Sequence, residues 1–320
     1  MLVAVALDIL WTTLWPDGAS GPIITRVNAG VWRSLRHLGS GDSRVVSLSG
    51  PAATAAALAT WLLFVWTGWA LVFSSTNDSL VDTSGSGVSL TGRVYFVAYT
   101  IFTMGNGDFS PAGGAWQLAT SMAAASGMVT ITFVVTYVLS AVRTVAKRRS
   151  FASSVHGLGS TPSDLVLWAV DSGPSGLDLP VQALAAQLST ISGDHLAFPV
   201  LHYFHPTHSR KSTSVAVAVF DDAMTMLEHG VTKPNLSPPV LALARSSVDD
   251  YRDTLDGAFI RPADEPPPPP SLDHLRRHGV PVVDEETFKS RAASLGDRRR
   301  RLRGAVEADA WPWTTVGAEG

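Results

Sequence analysis

Thr103-Met104-Gly105-Asn106-Gly107-Asp108, continued by Phe109, Ser110 and Pro111, is the stretch whose reading decides the fold. The residues before it, Val94 to Phe102, are apolar and aromatic. They are too few to cross a hydrocarbon core of about 30 Å, so the pattern predicts a re-entrant half-helix. Backbone that leaves helical geometry at membrane depth must line water or lie inside protein, because its carbonyls cannot face lipid. Gly105 and Gly107 suit such a turn, since glycine reaches positive φ without a Cβ penalty. Carbonyls turned towards one axis then replace the hydration shell of a cation. A glycine-rich turn outside the membrane, joining two spans, is the plainer alternative.

Two long apolar segments flank the stretch. Ser49-Gly50-Pro51 opens the first, which runs to about Phe73 without a charge and carries Trp61, Trp66 and Trp69. It is long enough to cross with some tilt. The second reads as one helix from Gly114 to Ala146, uncharged until Arg143, with small residues from Ala119 to Gly127 that permit close helix approach. Arg26, Arg33, Arg36 and Arg44 precede the first span, and Lys147, Arg148 and Arg149 follow the second, whereas the loop from Ser74 to Gly92 carries Asp78 and Asp82. The positive-inside rule makes both outer flanks cytoplasmic and the Asp-bearing loop external.

With those residues in view, Thr-x-Gly-x-Gly-Asp between a short aromatic helix and a longer apolar one resembles the pore module of tetrameric potassium channels, over residues 45 to 148. The resemblance implies a mainly α membrane protein: an outer helix, a re-entrant pore helix with its filter, an inner helix, and a mostly helical cytoplasmic C-terminal domain. It implies a filter of Thr103, Met104, Gly105, Asn106, Gly107 and Asp108, a homotetramer in the lipid bilayer of the cell membrane, and potassium as the permeant ion. Asn106 stands where the family carries an aromatic, which leaves sodium permeation open and asks whether Tyr95, Phe96, Tyr99 and Phe102 fill that volume. Gly127, twenty residues after Gly107, occupies the place of an inner-helix gating hinge in that family; a packing glycine is the other reading.

Composition supports a membrane chain. Of 320 residues 46% are hydrophobic and 16% charged, and the mean hydropathy is +0.18. A net charge of −3 gives no footprint for nucleic acid. The absence of cysteine excludes disulfides, thiolate catalysis and cysteine-ligated metals. Residues 1 to 44 hold a short apolar segment to Trp15, in which Asp8 is either a functional carboxylate or an interfacial one, and then an amphipathic stretch. Ile23, Ile24, Val27, Val31, Leu35 and Leu38 form its apolar face, suited to a membrane surface or to a soluble domain.

Residues 149 to 320 change to a soluble composition. Helices are predicted at Asp164 to Val170, Pro180 to Ile191, Ser214 to Glu228, Pro238 to Leu255 and Glu285 to Gly304, with a strand through Val215, Val217 and Val219 as an alternative. The stretch 262 to 270, with Pro266 to Pro270, reads as a linker. Arg298 to Arg301 with Arg303 reads as a solvated face or a lipid-headgroup contact. His202, His205 and His208 are weak metal-ligand candidates because Pro206 interrupts them. No phosphate loop, GxGxxG, HExxH or GxSxG is present, so neither a catalysed reaction nor a cofactor is expected, and the C-terminal domain leaves room for an unidentified cytoplasmic regulator.

Overall fold

The computed structural model describes residues 1–15, 20–38, 45, 47–83, 87–105, 107–173, 176–256 and 260–317. The chain divides into two compact units, Met1–Ser40 with Leu48–Val142, and Gly41–Ser47 with Arg143–Gly320.

The first unit is built on two long helices. Helix α3 (Ser49–Phe73) matches the predicted first span. Helix α5 (Gly114–Leu158) begins as predicted but continues twelve residues beyond Ala146. In their most apolar stretches only 39% of α3 and 28% of α5 is buried, so neither is the interior helix of a soluble protein. Short apolar α1 (Leu2–Leu14) and amphipathic α2 (Pro22–Leu38) pack on α3. Close approach is visible at Gly68, where a Cβ would lie 2.6 Å from Leu2.

Asp8 joins these three helices. It is 2% exposed, accepts Ile23 N–H at 2.8 Å and accepts the Trp61 indole N–H at 2.9 Å. Thr12 Oγ1 accepts Gly21 N–H at 2.9 Å beside it. Two side chains from α1 thus satisfy the orphan donors at the start of α2, where the helix dipole favours a carboxylate. Asp8 is an anchor between helices, which neither sequence reading of it included. The apolar stripe of α2, centred on buried Ile24, lies against α3, and Arg26, Arg33 and Arg36 face outward. Arg44 and Asp17 lie outside the described residues.

The loop after α3 is more ordered than its Ser/Thr/Gly content predicts. Strand β1 (Leu80–Asp82) pairs antiparallel with β2 (Phe109–Pro111), with Val81 opposite Ser110. Between them lies α4 (Leu90–Ile101), the predicted half-helix, starting four residues earlier than Val94 because Ser89 caps it by accepting Gly92 N–H.

The second unit surrounds α8 (Thr213–Thr225), every residue of which is buried. A helix buried on every side carries no 3.6-residue stripe, which is why Val215, Val217 and Val219 also fit a strand. Around it stand α6 (Pro162–Asp171), α9 (Pro238–Asp256) and α12 (Gly296–Ala308), while α7 (Asp178–Ala197) packs along α9. The short helices α10 (Asp273–Arg277) and α11 (Glu285–Ala293) complete the unit. The single helix expected over Glu285 to Gly304 is two, broken at Ser294 and Leu295, where the Ser294 hydroxyl returns to Arg291 O at 2.7 Å.

Two sequence readings are corrected here. Arg298 and Arg299 do not form a solvated face. Arg298 reaches Asp221 and Asp249, and Arg245 shares Asp221. Arg299, 2% exposed, holds Asp222 in a fork at 2.9 and 3.0 Å and donates to Pro267 O and Pro268 O at 2.8 and 3.0 Å. The proline run is therefore fastened to the helical body; it is not a free spacer. The other arginines of the cluster, Arg300, Arg301 and Arg303, form exposed pairs with Asp297 and Glu307.

A histidine cluster lies on the other side of α8. His205 Nδ1 sits 2.8 Å from Asp309 Oδ1, and the Ser212 hydroxyl donates to Asp309 at 2.5 Å. Arg148 donates to Leu201 O at 2.6 Å, and the His195 and His202 rings meet edge to face at 6.4 Å. Among the described residues no three side chains are placed to hold a metal. Burial, with smaller effects from His205 and Arg148, pushes His202 down to about 4, and burial holds His195 well below its ordinary value.

Arg299→Met removes one partner of a buried pair and is expected to destabilise the second unit by about 3–5 kcal/mol. Arg300→Met, on an exposed pair, is expected to cost under about 0.5 kcal/mol in the same denaturant titration. A second expectation concerns acid. His202 folded takes its proton only near pH 4, whereas the unfolded side chain takes it near 6.5, so stability is full above 6.5 and is lost as pH falls towards 4. Thermal unfolding of His202→Phe across that window is expected to show a shallower loss than the native chain.

Candidate ion pathway

Helix α4 is held on three sides. The Trp66 indole donates to Val94 O at 3.1 Å, fixing its first turn to α3. Arg93, 7% exposed, donates to the carbonyl and side chain of Asn77 at 3.1 and 3.2 Å. Phe73 stacks against Phe96 at 5.3 Å and Trp116 at 5.4 Å, so α3, α4 and α5 share one aromatic core. The Trp69 indole adds a donated bond to Ser126 Oγ at 2.9 Å, linking α3 to α5.

At its carboxyl end the helix stops abruptly. Phe102 N–H still reaches Ala98 O, Thr103 N–H closes a shorter turn on Thr100 O, and Met104 N–H reaches back to Tyr99 O at 2.8 Å. Thr103 then takes φ +55 and Gly105 φ +63. Two left-handed residues out of three reverse the chain, and at Thr103 this carries a steric cost that glycine avoids. Thr103, Met104, Gly105, Gly107 and Asp108 are all exposed in the single chain, while Asn106 lies outside the described residues. A Cβ on Gly105 or Gly107 would meet nothing within 4 Å, so at Gly105 it is the φ and not crowding that calls for glycine.

Tyr99 is the residue that sequence reasoning placed only in part. It is 3% exposed. Its carbonyl takes the Met104 N–H, and its hydroxyl, 3.4 Å from Phe109 O, donates there. One residue therefore braces the loop on both sides of the glycines. Phe96 is buried with it, whereas Tyr95 and Phe102 are 44% and 42% exposed. Of the four aromatics considered for the missing ring, Phe96 and Tyr99 are the two that pack inside. The spacing from Tyr99 to Met104 was the available signal, since a helix ending on a left-handed turn returns its last N–H groups over five residues.

The family model described as "Ion channel" matches residues 57–144, from within α3 through the re-entrant loop and into α5. The curated "Uncharacterized membrane protein YdjJ" of Bacillus subtilis (strain 168) is 37% identical over 317 residues, covering 98% of this chain and 93% of that protein. The chain belongs to the ion-channel family, with a pore module of the potassium-channel type. No solved structure matches it.

In the channel the inner-helix position occupied by Gly127 has a visible occupation. A Cβ there would lie 2.4 Å from Ile101 O and 2.8 Å from Ile101 Cα, at the last turn of the pore helix. Helix α5 runs through Gly127 without a break. Close packing of inner helix on pore helix thus demands glycine whether or not the helix also bends there.

Gly127→Ala is expected to lower the thermal stability of the pore module by about 1–3 kcal/mol through overpacking. Gly157→Ala, on the same helix with nothing within 4 Å of its Cβ, is expected to be neutral or stabilising by about 0.5–1 kcal/mol. Equal shifts for the two in one melting series would refute the packing role of Gly127.

Proposed function

We propose that four copies of the chain surround one pathway and that this pathway conducts potassium with incomplete rejection of sodium. A single loop cannot encircle an ion, so the filter requires several copies. In this reading the Thr103 hydroxyl and carbonyl and the carbonyls of Met104, Gly105 and Asn106 form successive rings, with Asp108 at the mouth. The carboxyl ends of four α4 helices direct partial negative charge at the pathway. Transport is passive and no bond is made or broken. The observation that carries the proposal is the left-handed turn at Thr103 and Gly105, braced by Tyr99 at Met104 and at Phe109.

Incomplete selectivity follows from Asn106. An amide offers hydrogen bonds but not the volume of a ring, so the packing that would hold the carbonyls at one spacing is weaker. The proposed orientation sets the second unit in the cytoplasm, with Arg26, Arg33, Arg36 and Arg149 on that side and Asp78 and Asp82 on the other. Gly127 is proposed as a gating position, acting through its contact with Ile101.

Purified protein in liposomes is expected to pass potassium and, more slowly, sodium, and Gly105→Ala, which places a Cβ at positive φ, is expected to abolish both. Bi-ionic reversal potentials are expected to show tighter sodium rejection in Asn106→Tyr. Absence of flux from a tetrameric preparation would refute conduction; equal selectivity in variant and native channel would refute the role given to Asn106.

A further inference from the structure

A cavity of about 760 Å³ opens on the second unit between the end of α5 and the segment that leads into α8. Its walls include Ser153, His156, His208, Arg210, Lys211 and Trp311, and none of its lining residues is acidic. That balance is unusual for this unit, where Arg245, Arg298, Arg299, Arg300, Lys147 and Lys289 all meet carboxylates. Arg210 instead donates to Ser160 Oγ at 3.1 Å, leaving most of its fork uncommitted.

Two of the lining residues also carry polar atoms without partners. The Trp311 indole nitrogen and both ring nitrogens of His156 are shielded from solvent and make no hydrogen bond. An indole N–H is a donor only, and a neutral imidazole supplies one donor and one acceptor. Burial, and to a lesser degree the neighbouring Arg210, holds His156 below its ordinary value. A guanidinium and an ammonium on an acid-free wall match an oxyanion with several acceptors. A bare phosphate would leave most of the volume empty, and cavities of this size hold small organic ligands.

We propose that this pocket binds a phosphate-bearing anion, with Arg210 and Lys211 on the phosphate. The test uses the full chain in phosphatidylcholine nanodiscs, titrated calorimetrically with inorganic pyrophosphate. Saturable binding is expected. The double variant Arg210→Gln, Lys211→Gln is expected to weaken it by at least about tenfold. Lys289→Gln, an exposed cation elsewhere on the unit, is expected to leave it unchanged. No saturable binding to the native chain, or equal losses in Lys289→Gln and the double variant, would overturn the site. Repeating the titration in nanodiscs containing phosphatidylglycerol assigns the source. Weaker pyrophosphate binding in the native chain alone supports the site as a lipid-headgroup receptor, and unchanged binding supports it as a receptor for soluble phosphate.

Discussion

Peptide groups that leave a helix at membrane depth must find partners inside the protein, and the rest of the first unit is arranged around meeting that demand at residues 102 to 105. Met104 N–H and Thr103 N–H return to α4, and Phe109 O is taken by Tyr99. Each of those partners is only as well placed as α4 itself. Trp66 and Arg93 hold its first turn, Phe73 and Trp116 hold its side, and Ile101 packs against the backbone of α5 at Gly127. A loop whose residues 103 to 105, 107 and 108 are exposed is thus supported by buried aromatics and indole donors on rigid helices.

The N-terminal helices serve the same scaffold by another route. Asp8 ties α1 to the start of α2 and to Trp61 in the middle of α3. A carboxylate there is tolerable because two N–H donors and the positive end of α2 surround it. Trp61 also lies edge to face with Tyr137 of α5 at 6.2 Å, so the anchor reaches both long helices of the unit.

The second unit solves a different problem. Its central helix brings Asp221 and Asp222 into the core, and three arginines from α9 and α12 neutralise them. Each nitrogen of the Arg299 fork finds an acceptor, including two carbonyls of the proline run, as a buried pair requires. The same residues would read as a basic surface cluster wherever their partners stood far away in sequence, and here Asp222 and Arg299 are separated by 77 positions.

By itself the sequence determined the elements whose cause is local or periodic. Apolar length set α3 and α5, the short aromatic run and Thr-x-Gly-x-Gly-Asp set the re-entrant loop, and alternating apolar and arginine positions set the face of α2. It also identified Gly105 as a positive-φ site, because only the backbone is at issue there. The tertiary structure alone decided which partner each polar side chain found. The Tyr99 hydroxyl on Phe109, Asp8 as an anchor, Gly127 against Ile101, and Arg299 fastening the prolines are all contacts between residues that spacing does not relate. Hydrophobic periodicity records which face is buried, but a hydrogen bond or a glycine contact depends on what the fold brings opposite, and that is fixed only when the helices pack.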